Sequence, residues 1–340
     1  MNEFYNKMEY FEDTEQISAE IYYHYTSLDA LYSIVMSKAF WLTSLKSSND
    51  KKELYYKPNF FLKDFSNVCS NEKDKNIKEY LGLVVESIRA NESSFLEECK
   101  QKAFPYALCL SEKKDNLTHW DRYASKCTGV CIGFNVSSLR VHMRRMATEV
   151  FGVGLYDVSN VFYSFEEKEE YMKNVIIRII SVLLNKKEPI EYNDIQESIR
   201  KNGYLYAAAA YLMLMKFSKD SSFVDEDEVR LYHDSASKKS TLRLIDSMAS
   251  SIEPELLKNL RKNFLNLIKQ LHLEEEKFCV TKSGIRSYKE LYLGEIWGSG
   301  TIPEIVLGPM CIQNRSELQR FLKSNGLEGT KVSISKVPIR

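Results

Sequence analysis

The chain has 340 residues, 44% of them hydrophobic and 12% aromatic, which is enough for one large domain or two ordinary ones with a buried core. The chain has 47 lysine and arginine residues and 47 aspartate and glutamate residues, so its net charge is zero. This balance indicates no general attraction to nucleic acid, although a local basic patch would still allow binding. The seven cysteines are scattered, without a CxxC pair or a Cys/His cluster at zinc spacing, which predicts reduced thiols and no metal site.

Targeting and membrane segments are not expected. The N-terminal residues include Glu and Asp and lack the apolar core of a signal peptide. The longest apolar runs, Val175–Leu184 and Tyr204–Phe217, are shorter than the roughly 20 residues of a membrane span. We therefore expect two buried helices at these positions, in a cytoplasmic protein without a membrane partner; the alternative is a transmembrane hairpin.

The predicted elements follow from hydrophobic periodicity and from turn and capping signals. Residues 26–29 resemble a capping box, Gly203 is predicted to lead into a second apolar helix, and Ser316 to cap the last helix. We predict strands at 21–25, 40–45, 105–111, 128–134, 150–158, 228–232, 278–280, 288–293, 304–307 and 331–337, and helical stretches at 28–38, 51–103, 166–217, 254–273 and 316–324.

The order of these elements predicts an α+β fold. Strands and helices are mixed along the chain, with no internal repeat, low-complexity tract or Pro/Gly/Ser linker. We therefore predict one domain over residues 1–340, with mixed or antiparallel central sheets and surrounding helices. Residues 166–217 are predicted to be a helical insertion within it.

One acidic stretch, FVDEDEVRL at residues 223–231, is the first candidate for a site. Side chains alternate along a strand, so Glu226 and Glu228 would point to the same side if a strand runs through them. Like charges this close raise one another's pKa and persist beside a cation, at a chain end or in a site that uses them. The structural alternative is a solvated acidic turn before an edge strand.

Five sequence blocks together resemble a large uncharacterised bacterial family. Its members share a Tyr-His-Tyr-Thr start, a serine-to-tryptophan middle motif and a late Glu-x-Glu-x-Arg motif. The corresponding blocks in this chain are YYHYTS at 22–27, the turn with Asn49, Asp50 and Glu53, SEKKDNLTHWDRYA at 111–124, DEDEVR at 225–230, and EIVLGP at 304–309.

The order of these blocks is also similar to that of the ADP-ribosyltransferase superfamily, which implies an ADP-ribosyltransferase-like fold and NAD as a substrate. The resemblance places His24 on the first core strand, Thr43 or Ser44 on the second, and Glu228 as the late carboxylate, with Glu226 completing a paired-glutamate pattern. The NAD-binding set that it implies consists of His24, Tyr25, Thr26, Thr43, Ser44, Trp120, Arg122 and Tyr123.

The implied chemistry requires residues of these types. Cleavage of the nicotinamide–ribose bond develops positive charge on the ribose, which a carboxylate such as Glu228 stabilises. Glu226 would orient or deprotonate the acceptor, and Arg122 would bind the pyrophosphate. An aromatic face from Tyr25, Trp120 or Tyr123 would stack on nicotinamide.

Each of these residues also has a structural interpretation. His24 is compatible with a hydrogen-bonded strand histidine. Trp120 and Tyr123, three positions apart on a helical turn, are compatible with core anchors. Arg122 is compatible with a surface ion pair to Glu112 or Asp121. The functional interpretation therefore depends on the joint arrangement.

Three hypotheses for function follow. The leading one is an NAD-dependent ADP-ribosyltransferase-like enzyme, such as a bacterial toxin or a phage-defence effector, that modifies nucleic acid or protein. The second is a metal-dependent nuclease, with Glu112 and Lys114 as an acid-x-lysine pair and Asp50 or Glu53 as another ligand. The third is a non-enzymatic module that senses a nucleotide or a partner protein. The chain has no phosphate-binding GxxxxGK[ST] loop, which argues against an ATPase.

Overall fold

The chain is described here from a computed structural model. The structure describes residues 21–47, 58–99, 105–139, 156–184, 192–234, 254–270, 275–281 and 284–339. The predicted turn with Asn49, Asp50 and Glu53 lies outside these residues, as do positions 150–155 of one predicted strand.

Ten strands and nine longer helices are numbered here in chain order within the described residues. Two short 3-10 segments, Leu45–Ser47 and Ser221–Glu226, accompany them. The elements are β1 (Ile21–Thr26), α1 (Leu28–Ser37), β2 (Ala39–Ser44), α2 (Pro58–Asn71), α3 (Lys75–Ala90), α4 (Glu92–Cys99), β3 (Pro105–Ser111), α5 (Leu117–Tyr123), β4 (Val130–Asn135), β5 (Tyr156–Asn160), α6 (Phe165–Leu184), α7 (Tyr192–Phe217), β6 (Glu228–Asp234), α8 (Pro254–Gln270), β7 (Lys277–Thr281), β8 (Gly284–Tyr292), β9 (Glu304–Leu307), α9 (Arg315–Ser324) and β10 (Lys331–Ile334).

The chain divides into two compact units. The helical unit takes its described residues from Ser48–Ala103 and Val161–Val224, and the sheet unit from Ile17–Ser47, Phe104–Asn160 and Asp225–Arg340. The prediction of a single domain with an insertion at 166–217 stays a prediction, but the helical unit also includes α2, α3 and α4 from an earlier part of the chain. Among the described helices, none is both long and apolar enough to cross a membrane.

The helical unit is held together by its own apolar core, and one glycine decides how closely two of its helices pack. The sequence predicts that Gly203 leads into a second helix, but α7 runs without a break through this position. Gly203 is buried, and a Cβ atom there would lie 3.0 Å from the Cα of Val84 on α3. The glycine therefore permits close helix packing, and this gain outweighs its low helix propensity.

The sheet unit contains a mixed, open sheet, which confirms the predicted α+β class. Its strands follow the order β10-β9-β4-β1-β3-β2-β8-β7, and β6 pairs with both β3 and β5 away from this path. The pair β9–β10 is parallel, and the other pairs are antiparallel. The main core of this unit covers one face of the sheet, with Phe40, Leu110, Ile132 and Val229 among its members.

Side-chain caps begin two helices of the sheet unit. Ser27 accepts a hydrogen bond from the Ala30 N–H at 3.1 Å and starts α1, one position after Thr26, the cap residue of the predicted pattern at 26–29. The cap of α9 is Asn314, whose side chain accepts from the Ser316 and Glu317 N–H groups, so the prediction of Ser316 as cap was wrong by two positions. The amide of asparagine satisfies two N–H groups of the first turn, whereas Ser316 already lies inside the helix.

We expect Gly129→Ala to lower the free energy of unfolding by roughly 1–3 kcal/mol, the usual cost of overpacking. Gly129 lies just before β4, and a Cβ atom there would be 2.2 Å from the Thr26 backbone oxygen, so the main chain would have to shift. Urea unfolding followed by tryptophan fluorescence measures the change. Gly298→Ala is the control, because no atom lies within 4 Å of its Cβ position, and an equal effect in both variants would contradict the prediction.

Candidate functional site

The register of the central strands defines which side chains share the second face of the sheet, opposite the main core. Ser111 on β3 lies directly opposite Glu228 on β6, and Tyr23 on β1 lies opposite Ser111. Paired residues of antiparallel strands project to the same face, and neighbours in sequence project to opposite faces. The face of Glu228 therefore also receives Tyr25 and Arg230.

Glu228 is held in a buried ion pair. The Arg230 guanidinium donates from Nε to Oε1 of Glu228 at 2.7 Å and from Nη2 to Oε2 at 3.2 Å. The Arg230 side chain is 1% exposed, and the Glu228 side chain is 3% exposed. Because both carboxylate oxygens are bound by the guanidinium in the interior, Glu228 is a fixed structural charge rather than a group open to solvent.

Glu226, two residues before Glu228, lies in a 3-10 segment and not in the strand. It ends the 3-10 segment, and Asp227 follows with φ = 38°, a left-handed conformation that turns the chain into β6. The strand begins at Glu228, so the simple alternation expected for Glu226 and Glu228 does not apply across this turn. The Tyr123 hydroxyl donates a hydrogen bond to Glu226 Oε1, and Arg122 Nη1 lies 3.7 Å from the same oxygen.

The backbone carbonyl group of Glu226 also has two side-chain contacts. The Ser111 hydroxyl donates to the Glu226 carbonyl oxygen at 3.0 Å, and His119 Nε2 lies 3.0 Å from the same oxygen. The other ring nitrogen of His119, Nδ1, lies 2.9 Å from Asn116 Oδ1. Burial lowers the pKa of His119, while the Glu226 carbonyl and carboxylate oppose that shift.

Aromatic rings form a small core beneath this turn. Tyr25 contacts His119 at 4.9 Å and Trp120 at 5.0 Å between ring centroids. Trp120 is fully buried, and its indole N–H donates to Asp115 at 2.8 Å. The Tyr25 hydroxyl donates to the Lys113 carbonyl oxygen at 2.8 Å and accepts from the Asn116 N–H at 3.0 Å. These partners account for the polar atoms of both buried rings.

The site reaches solvent through two cations. The Arg122 side chain is 49% exposed, and the Lys113 side chain is 37% exposed. Lys113 Nζ lies 2.7 Å from the Asp227 carboxylate and donates to the Asp225 carbonyl oxygen at 3.0 Å. A ligand that approaches Glu226 therefore meets two partly exposed cations, each paired with a carboxylate: Arg122 with Glu226, and Lys113 with Asp227.

The structure brings five of the predicted site residues together. Tyr25, Trp120, Arg122, Tyr123 and Glu226 lie in one connected set of contacts. Of the three aromatic residues considered for stacking, Tyr25 and Trp120 are buried and only Tyr123 is partly exposed.

His24, Thr26 and Ser44 project to the opposite face from Glu228. His24 lies opposite Ile132, a residue of the main core, and its Nδ1 lies 2.9 Å from the Cys109 carbonyl oxygen. Ser44 is buried next to Thr43 on β2. These three side chains therefore do not meet the Glu226 cluster in this structure.

Thr43 lies on the same face of the sheet as Glu228 but outside the described contacts of the Glu226 cluster. It pairs with Ala107 across β2 and β3, and its hydroxyl donates to the Ala107 carbonyl oxygen at 3.4 Å. No described contact links Thr43 to Glu226 or Tyr123. Its role in NAD binding stays a prediction.

Three further residues of the cluster, Ser111, Lys113 and His119, are not among the site residues predicted from the sequence. All three belong to the SEKKDNLTHWDRYA block, whose resemblance to a family motif was the available signal. Their role becomes visible only when β3 pairs with β6, because this pairing places the Glu226 turn beside them.

In the acid-x-lysine pair of the nuclease hypothesis, the lysine is bound to a carboxylate of another strand. Lys114 Nζ lies 2.5 Å from Glu304 Oε2, and Tyr23 donates to the other oxygen of Glu304 at 3.0 Å. Within the described part of the chain, no three His, Cys, Asp or Glu side chains cluster around a point where a metal ion would fit. Asp50 and Glu53, the remaining ligands of that hypothesis, lie outside the described residues.

The family comparison covers part of this cluster. A family described as a protein of unknown function (DUF2971) matches residues 119–231. The match begins at His119 and includes Arg122, Tyr123, Glu226 and Glu228. It supports the predicted resemblance to an uncharacterised family. Among the curated proteins and the solved structures, none matches the chain.

Proposed function

We propose that the Glu226 cluster binds NAD and promotes cleavage of its nicotinamide–ribose bond, so that the protein is an ADP-ribosyltransferase-like enzyme. The observation that carries this proposal is the position of one carboxylate, Glu226, between a tyrosine hydroxyl and a half-exposed guanidinium. This arrangement offers a negative charge to a developing oxocarbenium ion and a positive charge to a pyrophosphate.

The two carboxylates take different roles in this proposal. Glu226 stabilises positive charge on the ribose, because Tyr123 orients its carboxylate and Arg122 stands at the exposed side. Glu228 supports the site from beneath, because Arg230 binds both of its oxygens. The sequence-based expectation gave the ribose to Glu228, and the ion pair with Arg230 is the reason for assigning the ribose to Glu226 instead.

Tyr123 and Arg122 supply the contacts to the rest of the dinucleotide. Tyr123 is the partly exposed aromatic ring of the cluster and is the surface on which nicotinamide would stack. Arg122 and Lys113 would bind the two phosphates, and Arg122 is suited to bidentate contact. His24 has no part in this arrangement, because its side chain projects from the other face of β1.

Binding without turnover is a second candidate function. The observation that favours it is the engagement of Glu228 with Arg230, because a buried carboxylate with both oxygens bound by a guanidinium is not open to a substrate. A site of this kind would sense NAD or a related nucleotide for a partner. A biological role as a toxin or a phage-defence effector acting on nucleic acid or protein belongs to the same proposal and is compatible with either mode.

We expect calorimetry to detect saturable NAD binding and Arg122→Ala to weaken it about 10- to 100-fold. The reason is that one hydrogen bond to a charged group contributes about 1.5–3 kcal/mol, and 1.4 kcal/mol corresponds to tenfold in affinity. Arg320→Ala is the matched control, because its guanidinium is 80% exposed on α9 and pairs with Glu317 at 4.0 Å. Unchanged affinity in Arg122→Ala, or no binding by the folded wild type at millimolar NAD, would refute the proposed site.

A further inference from the structure

His119 is the buried titratable group of the cluster that the proposed chemistry leaves without a role. Its side chain is buried, and its ring lies between the first turn of α5 and the Glu226 main chain. Nδ1 lies 2.9 Å from Asn116 Oδ1, and Nε2 lies 3.0 Å from the Glu226 carbonyl oxygen. Both neighbours are oxygen atoms that accept hydrogen bonds.

The orientation of the Asn116 amide is fixed by the helix that it caps. Its Oδ1 accepts from the His119 backbone N–H at 3.2 Å, so rotation of the amide would place an NH₂ group against that N–H. An oxygen therefore faces Nδ1, and a carbonyl oxygen faces Nε2. A neutral imidazole has one N–H, and only the imidazolium ion donates to both acceptors.

The charged groups around the ring act in both directions. Burial is the largest influence and lowers the pKa of His119 below its ordinary value, and the Lys113 ammonium lowers it further. The carbonyl and carboxylate of Glu226, together with the Asp227 carboxylate, raise it. The rings of Tyr25 and Tyr123 also pack against it, at 4.9 and 6.0 Å. Both contacts are therefore complete only when the pH falls below this lowered pKa, on the acid side of about 6.5.

We propose that His119 is a positioning residue, which as an imidazolium joins the α5 cap to the Glu226 main chain and which gives up one of these contacts when it loses its proton. The consequence for NAD chemistry rests on the function proposed above. The consequence for the conformation of the Glu226 turn does not.

The effect of losing the proton depends on which contact is broken. If Nδ1 keeps the hydrogen, Nε2 presents a lone pair to the Glu226 carbonyl oxygen. Of the two side chains that contact this oxygen, His119 and Ser111, only Ser111 then donates a hydrogen bond to it. If Nε2 keeps it, Nδ1 opposes Asn116 and weakens the cap of the helix that carries Tyr123. Either change loosens the Tyr123–Glu226 hydrogen bond, so NAD turnover is expected to decrease as the pH rises through the pKa of His119.

The test uses two dipeptides in the sequence. Labelling with carbonyl-¹³C glutamate and ¹⁵N aspartate selects Glu–Asp pairs, and the chain has two, Glu12–Asp13 and Glu226–Asp227. The Glu226 carbonyl and the Asp227 nitrogen belong to the same peptide group, so this signal reports directly on a hydrogen bond to that carbonyl. Selective ¹⁵N labelling of the five histidines follows their ring nitrogens in a parallel sample.

Two conservative variants separate the contacts of the ring. Glutamine places its amide nitrogen close to the position of histidine Nε2 and does not titrate, so His119→Gln keeps a donor to Glu226 at every pH. Asparagine reaches only the position of Nδ1, so His119→Asn keeps the contact with Asn116 and loses the one with Glu226. The pair therefore distinguishes the contact with Glu226 from a general structural role for the side chain.

We expect the wild-type Glu226–Asp227 signal to titrate with the same midpoint as the His119 ring, and both variants to lose this step. NAD turnover in His119→Gln is expected to be independent of pH in this range, whereas in His119→Asn it is expected to be about tenfold lower throughout, the loss from one hydrogen bond of about 1.4 kcal/mol. An unchanged titration of the Glu226–Asp227 signal in His119→Gln would overturn the inference, as would a His119 ring that never carries two protons. If no protein turns over NAD, the proposed function fails, and the titration still decides the inference.

Discussion

Replacing Glu226 with glutamine is expected to reduce NAD cleavage by about 100- to 1,000-fold while the protein stays folded. Removal of one preorganised group that stabilises charge in a transition state typically has an effect of this size. Glutamine keeps the shape of the side chain and an oxygen to accept the Tyr123 hydrogen bond, but it carries no charge. Release of nicotinamide, measured by chromatography, gives the rate.

The matched control is Glu290→Gln. Glu290 is also a glutamate of the sheet unit, 15% exposed and paired with Lys277 at 2.6 Å, but it lies on β8. The control therefore removes one partly buried, ion-paired carboxylate without any change at Glu226. Equal rates for Glu226→Gln and the wild type, with measurable turnover in both, would remove Glu226 from the chemistry.

Arg230→Met is expected to lower the free energy of unfolding by about 3–5 kcal/mol. Removing one member of a buried ion pair takes from the other charge a partner that offsets its burial, and here the Glu228 side chain is 3% exposed. Methionine has a similar length and no charge. Urea unfolding monitored by tryptophan fluorescence is a suitable measurement, because all three tryptophans, at positions 41, 120 and 297, belong to the sheet unit.

A double variant tests whether the charge that remains on Glu228 is the cause. Glu228→Leu combined with Arg230→Met removes both charges, and such replacements are often neutral or stabilising. We therefore expect the double variant to be more stable than Arg230→Met alone. If the double variant loses the sum of the two single effects, the buried charge is not the origin of the loss, and the role of Glu228 as a fixed support is wrong.

The sequence predicted the class of the fold because most of its elements have strong local signals. The Ser27 cap, the aromatic strand β1 and the apolar strand β9 all form close to their predicted positions. The Gly203 prediction failed for a reason that is not local. The contact of this glycine with Val84, more than a hundred positions earlier in the chain, decides that α7 continues through it.

The sequence predicted the composition of the site better than its arrangement. The Glu-x-Glu-x-Arg motif led directly to Glu226 and Glu228, and alternation along β6 also places Arg230 beside Glu228. The face on which His24 lies could not be predicted, because it depends on the register of β1 with β3 and of β3 with β6. A shift of one residue in either pairing would place His24 and Glu228 on the same face of the sheet.

The role of Trp120, on a helix, could not be predicted from the sequence either. A tryptophan and a tyrosine three positions apart lie on one side of a helical turn whether they bind a ligand or fill a core. In the structure Trp120 is fully buried against Tyr25, and Tyr123 reaches the edge of the cluster. Only the packing of α5 against β1 distinguishes the two, and that contact involves residues nearly a hundred positions apart.

The most direct test of the account is a titration of the wild-type protein with NAD, followed through the Glu226–Asp227 signal of the glutamate- and aspartate-labelled sample. The second labelled pair, Glu12–Asp13, gives the other signal of this sample. The account predicts a saturable shift of the Glu226–Asp227 signal that is weakened in Arg122→Ala and preserved in Arg320→Ala. Saturable binding by calorimetry without any shift of this signal would place the NAD site elsewhere and contradict the central claim.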